Sequence, residues 1–187
     1  MSPEIFLVRH GETEWSRSGQ HTSRTDLPLT PEGERQAGHL KRMLEGHHFA
    51  LVMSSPMKRA LDTCRLVGLA PVISTSLVEW DYGDYEGLTT QEIQQRAPGW
   101  AIWTGDVPNG ESIQQVAARA EQVITLALAA GGDVALFGHG HMSRVLATRW
   151  VGLKPTAGRM LALSTASLSV LGHEHETRVI RLWNQTS

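Results

Sequence analysis

Arg9, His10 and Gly11 directly follow the first apolar run of the chain, IFLV at residues 5–8. The planar guanidinium of arginine offers paired donors that match the oxygens of a phosphate. A neutral imidazole nitrogen can attack phosphorus and hold the phosphoryl group covalently, which divides one displacement into two steps. These residue types therefore indicate phosphoryl chemistry, with His10 as a candidate nucleophile and Arg9 as a candidate phosphate ligand.

Two further apolar runs end in residues of the same kind. Residues 50–55 are followed one helical turn later by Arg59, and residues 133–138 are followed by His139, Gly140 and His141. Short apolar runs are typical of parallel strands that are covered on both faces. Since the carboxyl ends of parallel strands lie along one edge of a sheet, where ligands bind, we expect two arginines and two histidines to meet there.

A phosphate ester also needs a proton donor for its leaving group. A carboxyl whose pKa is raised by burial can serve at neutral pH, and Glu79 is the candidate. Arg9 and Arg59 are expected to clamp the phosphate. Taken alone, His139 and His141 could be a metal pair, but no third ligand stands at a matching spacing. The occurrence of all three strand ends in order favours the phosphate site.

Alternating apolar strands and amphipathic helices predict an α/β fold with a mostly parallel central sheet. The strongest helix spans residues 112–130, where apolar residues recur at helical spacing and Ser112 and Gln115 form a capping box. Thr30 and Pro31 are typical of a helix start. The other predicted elements are a helix from Ser55 and Pro56 to about Val67, a helix over 141–151, and strands over 159–165, 167–173 and 177–183.

Residues 79–109 differ from the rest of the chain. This segment is rich in tryptophan, tyrosine, glycine and acidic residues, and its only helix signal lies at Thr89–Arg96. Long irregular stretches inside compact domains are often lids or binding loops. We therefore expect residues 79–109 to form a cap over a pocket.

Composition limits the classes of partner. The 187 residues suit one domain, 1–187, and a net charge of −2 gives no global attraction to nucleic acid or to an anionic membrane. The single cysteine, Cys64, lies in an amphipathic run, which predicts a buried, unreactive thiol in a reducing compartment. Glu4 stands where a signal peptide would be basic, and residues 5–8 are too short for an export signal, so we expect a cytoplasmic protein.

The motifs together resemble those of the histidine phosphatase superfamily, in its phosphoglycerate mutase-like branch. The matching segments are LVRHGETEW (7–15), DLPLTPEGERQA (26–37), SSPMKRALDTC (54–64), LVEWDYGDYEG (77–87), NGES (109–112) and ALFGHG (135–140). The resemblance implies a three-layer α/β/α sandwich. It also implies a phosphohistidine at His10, phosphate contacts from Arg9, Arg59 and His139, and Glu79 as the proton donor, with no metal or cofactor.

Departures from the family pattern bear on the reaction. Trp80 stands where cofactor-dependent mutases have a substrate-binding arginine, and residues 97–108 contain no lysine or arginine. Hydrolysis is therefore favoured, while a mutase-type phosphotransferase and a non-catalytic regulatory homologue stay open. Ser16 replaces the asparagine of many relatives. The expected contacts on the phosphate side are Ser16, Thr22 and the backbone N–H groups of Gly11 and Gly140.

The segments EWSRSGQ, EWDYGDYEG and WAIW are similar to the fungal sedoheptulose-1,7-bisphosphatase type and its bacterial relatives. This similarity implies a small phosphorylated substrate such as a sugar phosphate. Trp80, Tyr82, Trp100 and Trp103 could line an aromatic wall for a sugar, although packing within the cap is the alternative. Whether the chain forms a homodimer is left open.

Overall fold

A six-stranded sheet forms the centre of the computed structural model, which describes residues 3–186. The order of the strands is β3-β2-β4-β1-β5-β6; the first four are parallel, and β5 and β6 are antiparallel to their neighbours. The strands are β1 (Ile5–Arg9), β2 (Leu51–Ser54), β3 (Val72–Ile73), β4 (Val134–Gly138), β5 (Leu168–Glu174) and β6 (Thr177–Gln185).

Within this described part of the chain, six α-helices and three 3₁₀ segments connect the strands. The helices are α1 (Glu14–Ser18), α2 (Pro31–Leu44), α3 (Lys58–Leu66), α4 (Thr90–Arg96), α5 (Ile113–Ala129) and α6 (Gly140–Trp150); the 3₁₀ segments are Thr75–Leu77, Gly83–Tyr85 and Pro155–Met160. None of the helices within residues 3–186 combines the length and the apolar character needed to cross a membrane.

Side chains alternate between the two faces of the sheet. Ile5 and Leu7 pack in one apolar cluster with buried residues of α5 and α6, and Phe6 and Val8 pack in the other with residues of α2 and α3. Because successive residues of a strand point to opposite faces, one short strand serves both clusters. Helices thus cover both faces of a mostly parallel sheet, which confirms the predicted three-layer α/β/α fold.

The register of the strands brings their carboxyl ends to one edge. Arg9 of β1 lies opposite Gly138 of β4, and Ser54 of β2 lies opposite Phe137. The next residues continue the ladder, since the His10 N–H donates to the Gly138 carbonyl at 3.1 Å. The predicted meeting of the three strand ends is confirmed.

Several local predictions are also confirmed. The Ser112 hydroxyl accepts from the Gln115 N–H and the Gln115 side chain reaches back, which is the capping box expected for α5. Thr30 caps α2 by accepting from the Gly33 N–H at 3.0 Å. Cys64 is buried, and burial raises the pKa of its thiol to about 12.

Two predictions of secondary structure are wrong. The helix expected from Ser55 begins only at Lys58, and the Ser55 hydroxyl accepts from the Met57 N–H at 3.3 Å and bonds to the His139 ring. The strand expected over residues 159–165 is absent: a 3₁₀ segment ends at Met160, and the carbonyl groups of Ala162 and Leu163 accept hydrogen bonds from side chains.

Candidate active site

A cavity of about 170 Å³ opens where β1 and β4 end. Its lining comes from the strand ends, from the α1 region and from the first turns of α6. Seven of the sequence-predicted site residues line it: Arg9, His10, Ser16, Thr22, Glu79, Tyr82 and Gly140.

His10 is held in one tautomer. Its Nδ1 atom lies 2.7 Å from the carbonyl oxygen of Gly11, and because a carbonyl can only accept, Nδ1 carries the proton. Nε2 is then the unprotonated nitrogen. Burial, together with the charges of Arg59 and Arg9, holds the pKa of His10 well below its usual value, so the ring is neutral at pH 7.

Arg9 supplies a donor for an anion in the same cavity. Its terminal nitrogen donates to the Leu163 carbonyl, while its Nε is buried and has no hydrogen-bond partner within residues 3–186. Leaving a buried donor unpaired is costly, and a charged donor more so. An anionic acceptor bound in the cavity would remove that cost.

Glu79 lies at the amino terminus of α6. Its carboxylate accepts three backbone N–H bonds, from Trp80 at 2.8 Å, His141 at 2.9 Å and Met142 at 2.8 Å. A helix amino terminus favours negative charge. The three N–H donors also fix the positions of both carboxylate oxygens. The carboxyl group shares the cavity with the His10 ring.

Arg59 and His139 lie behind His10 and do not line the cavity. The Arg59 Nε donates to the His139 Nδ1 at 3.2 Å, and its terminal nitrogens donate to the carbonyl groups of Ser23 and Thr25, each at 3.0 Å. His139 therefore carries its proton on Nε2, which donates to the Ser55 hydroxyl at 2.8 Å. Burial and the Arg59 charge lower the pKa of His139 as well.

Comparison with known proteins agrees with this geometry. The model of the histidine phosphatase superfamily (branch 1) matches residues 5–186. The chain belongs to this family. An acid phosphatase of Mycobacterium tuberculosis is 44% identical over 188 residues, covering 97% of this chain and 92% of the relative. Sedoheptulose 1,7-bisphosphatase of Saccharomyces cerevisiae is 35% identical over 188 residues, covering 82% and 69%.

A solved structure of the product of a Mycobacterium tuberculosis open reading frame superposes with a TM-score of 0.95. It is 41% identical in sequence, and the superposition covers 100% of this chain and 99% of that one. The family membership and these relatives identify the chain as a histidine phosphatase, a hydrolase of phosphate esters.

In this histidine phosphatase the backbone N–H of Gly11 does not face the cavity, although it was expected to contact phosphate. Its N–H donates to the Thr63 hydroxyl at 3.1 Å, and the Gly33 backbone occupies the position that a Cβ would need. Gly11 therefore does not line the cavity. It allows the loop after β1 to pack against α2, and its carbonyl orients His10.

The predicted aromatic wall is wrong for three of its four residues. Trp80 is only 1% exposed, and its indole N–H donates to the Glu111 carbonyl at 2.8 Å. Trp100 and Trp103 are likewise buried in the apolar cluster, so the alternative of packing is the better description. Tyr82 alone of the four lines the cavity.

Ser16 and Thr22 line the cavity, and their hydroxyl groups make hydrogen bonds to nearby backbone groups. The Ser16 hydroxyl accepts from the Thr13 N–H at 2.8 Å as part of the capping box of α1, and the Thr22 hydroxyl donates to the Gln20 carbonyl at 3.1 Å. Their contact with phosphate stays a prediction.

Sequence reasoning missed several lining residues: Thr13, Trp15, Gly19, Gln20, His21, His141, Arg144 and Leu163. His141 shares a 2.6 Å hydrogen bond with the Tyr82 hydroxyl. Burial lowers the pKa of His141 and raises that of Tyr82, which makes the pair neutral. The signal for His141 and Arg144 was available, because both follow Gly140 on the first turns of a predicted helix.

Proposed function

We propose that this histidine phosphatase hydrolyses the phosphate monoester of a phosphorylated sugar or another small metabolite through a phosphohistidine at His10. The observation that carries the proposal is the 2.7 Å contact between the His10 Nδ1 and the Gly11 carbonyl, which leaves Nε2 unprotonated in a cavity shared with Arg9 and Glu79. A neutral nitrogen with a free lone pair is what attack on phosphorus requires.

In the first step the Nε2 lone pair of His10 forms a bond to phosphorus while the ester P–O bond breaks. Arg9 donates to the phosphoryl oxygens and offsets the charge that accumulates on them. Glu79 gives a proton to the departing oxygen. The alcohol leaves, and Glu79 is a carboxylate.

In the second step water attacks the phosphohistidine. The Glu79 carboxylate takes a proton from that water, a new P–O bond forms and the P–N bond breaks. Inorganic phosphate leaves, His10 is again neutral, and Glu79 is again protonated. The reaction is balanced without a redox partner.

Arg59 and His139 act on this cycle from behind the ring of His10. The ring centroids of His10 and His139 are 5.2 Å apart, and Arg59 ties His139 to the loop of residues 22–25. Arg59 also opposes a second positive charge on His10, which keeps the nucleophile neutral. The phosphate contacts predicted for Arg59 and His139 stay a prediction, because neither side chain lines the cavity.

Hydrolysis is preferred over phosphoryl transfer to a second hydroxyl, as in a mutase. The chain has no lysine or arginine in residues 97–108 to hold the carboxylate of a phosphoglycerate. The relatives named above as phosphatases support the same choice, and one of them is named for a sugar bisphosphate.

A panel of sugar monophosphates and bisphosphates tests the reaction. We expect release of inorganic phosphate by the wild-type chain and none by His10→Ala. Formation of a phosphate isomer without phosphate release would instead indicate a mutase.

Three further properties belong to the proposal: a cytoplasmic location, a homodimer, and a cap formed by residues 79–109 within one domain. Cell fractionation tests the first, and light scattering on the purified chain tests the second. Deletion of α4 tests the third, because loss of a cap should raise KM more than it lowers kcat.

A further inference from the structure

The NGES segment at residues 109–112 supplies Glu111, whose side chain lies outside the lining of the catalytic cavity. Glu111 forms a bidentate ion pair with Arg119 of α5. One carboxylate oxygen accepts from the Arg119 Nε at 2.8 Å, and the other accepts from a terminal nitrogen at 2.7 Å. The two side chains are only 20% and 21% exposed. Because a bidentate pair has one favoured geometry, each partner fixes the position of the other.

The remaining donors of Arg119 bind the backbone that leads to Glu79. One terminal nitrogen donates to the carbonyl groups of Ser76 at 2.9 Å and Val78 at 2.8 Å. The nitrogen that binds Glu111 also donates to the Glu79 carbonyl at 3.4 Å. All five N–H groups of the guanidinium therefore have an oxygen acceptor, and three of these acceptors are carbonyl groups of residues 76–79.

Glu111 binds the backbone on the other side of Glu79. Its carboxylate accepts from the Asp81 N–H at 3.0 Å, and its own N–H donates to the Asp81 carbonyl at 2.9 Å. Its carbonyl accepts from the Trp80 indole N–H at 2.8 Å. The backbone turn of residues 76–81 is thus attached to Arg119 before Glu79 and to Glu111 after it.

Glu79 is therefore held by two separate parts of the fold. The first turn of α6 orients its carboxylate, while Glu111 and Arg119 fix the backbone from which the side chain extends. A second cavity of about 220 Å³ lies beside the pair and is also lined by Glu79. This cavity gives the turn room to shift when the pair is removed. A shift of about 1 Å can lower the rate of a reaction about a hundredfold.

We infer that Glu111 and Arg119 are positioning residues for the proton donor: they set the distance between the Glu79 carboxyl group and the departing oxygen. The inference rests on the proposed function, in which Glu79 protonates the leaving group. Since the pair acts through Glu79, its loss should slow the cleavage of esters whose leaving group needs a proton. Esters with a good leaving group should be affected much less.

The measured quantity is the ratio of kcat/KM for an alkyl ester, glycerol 3-phosphate, to kcat/KM for an aryl ester, 4-nitrophenyl phosphate. This constant reports the steps up to departure of the alcohol, in which the proton is donated. Loss of folded protein lowers both constants by the same factor, so the ratio is independent of stability.

The variants are Arg119→Gln and Arg119→Lys. The matched control is Arg149→Gln, which removes another ion pair between α5 and α6, since the Arg149 Nε donates to Glu121 at 2.9 Å. Arg119→Gln is also made in the Glu79→Gln background.

We expect Arg119→Gln to lower the ratio by about ten- to a hundredfold. Arg119→Lys should lower it less, because lysine keeps a cation for the carbonyl groups but loses the bidentate pair. Arg149→Gln should leave the ratio at the wild-type value. In the Glu79→Gln background Arg119→Gln should change the ratio no further, because the proton donor is already absent.

Equal losses for both esters in Arg119→Gln would overturn the inference, since the pair would then support only the fold. A further fall in the Glu79→Gln background, or an equal shift in Arg149→Gln, would also overturn it. Failure of the proposed function is a separate outcome: Glu79→Gln alone would leave the ratio at the wild-type value, and the inference would fall with it.

Discussion

The Nδ1 atom of His10 and the carbonyl oxygen of Gly11 are 2.7 Å apart, so the backbone of the next residue sets the tautomer of the nucleophile. No side chain is needed for this orientation. The N–H of Gly11 also donates to the Thr63 hydroxyl, and its Cα packs against the backbone of Gly33. The packing of this loop on α2 and α3 therefore fixes the position of the imidazole.

The tautomer of His10 is directly measurable. Nitrogen NMR on histidine-labelled protein should show a neutral His10 with a proton on Nδ1, and it should stay neutral well below pH 6.5 because burial and two arginines lower its pKa. His10→Gln identifies the resonance. Titration near pH 6.5, or a proton on Nε2 in the neutral form, would contradict this account.

Glu79→Gln should separate acid catalysis from binding. Without a transferable proton, kcat for an alkyl phosphate should fall by about 10²- to 10⁴-fold, whereas an aryl phosphate, whose leaving group needs little protonation, should lose much less. Equal slowing of the two substrates would rule out the role of proton donor.

The same variant should lose stability for a separate reason. The amide oxygen of the new side chain can still accept backbone N–H bonds, but its NH₂ group turns a donor toward another N–H of the α6 terminus. A loss of about 1 to 3 kcal/mol in the free energy of unfolding is expected, measured in urea.

Two glycines of α2 provide a matched pair. A Cβ at Gly33 would overlap the carbonyl group of Glu12, whereas Gly38 is exposed with no atom within 4 Å of a Cβ. Gly33→Ala should destabilise the fold by about 1 to 3 kcal/mol and reduce turnover through the loop of His10. Gly38→Ala should stabilise it by about 0.5 to 1 kcal/mol. Similar effects of the two substitutions on unfolding would contradict the packing described for Gly11.

Buried neutral histidines should make the protein sensitive to acid. Burial lowers the pKa of His21 to about 4 from 6.5, so on acidification the unfolded chain binds a proton first. The contribution of neutral His21 to the free energy of unfolding is complete above about pH 6.5 and is lost between pH 6.5 and about 4. Between about pH 7.5 and about pH 5, protonation of His21 in the unfolded chain alone should lower the free energy of unfolding by about 2 kcal/mol.

Unfolding in urea at the two pH values checks this expectation. His21→Gln should show a smaller loss of stability on acidification than the wild type, and the exposed His48→Gln should behave like the wild type. An equal acid sensitivity of His21→Gln and wild type would show that His21 is not held neutral.

The sequence was sufficient for the elements that depend on local pattern. The apolar runs predict where the strands end, at Arg9 and Gly138. The helix caps at Thr30 and Ser112 are predictable because each hydroxyl bonds to a backbone N–H three residues later. The same strand ends, in order, indicated an anion site at one sheet edge.

Features that depend on partners distant in sequence were not predictable in this way. Ser55 looks like a helix cap, but its hydroxyl bonds to His139, 84 positions away. The apolar run around Leu163 looks like a strand, but the Leu163 carbonyl accepts a hydrogen bond from Arg9. Trp80 was placed in a sugar site because aromatic rings stack on sugars, yet its ring is buried and its indole N–H donates to the Glu111 carbonyl.

Trapping of the phosphorylated enzyme tests the central claim most directly. The chain is mixed with substrate, quenched in alkali, where phosphohistidine survives, and digested for mass spectrometry. We predict one phosphoryl group on the peptide that contains His10, formed and lost at rates consistent with turnover, and neither the adduct nor hydrolysis in a folded His10→Ala chain. Full hydrolysis by His10→Ala, or turnover with the phosphoryl group on another residue, would contradict the account.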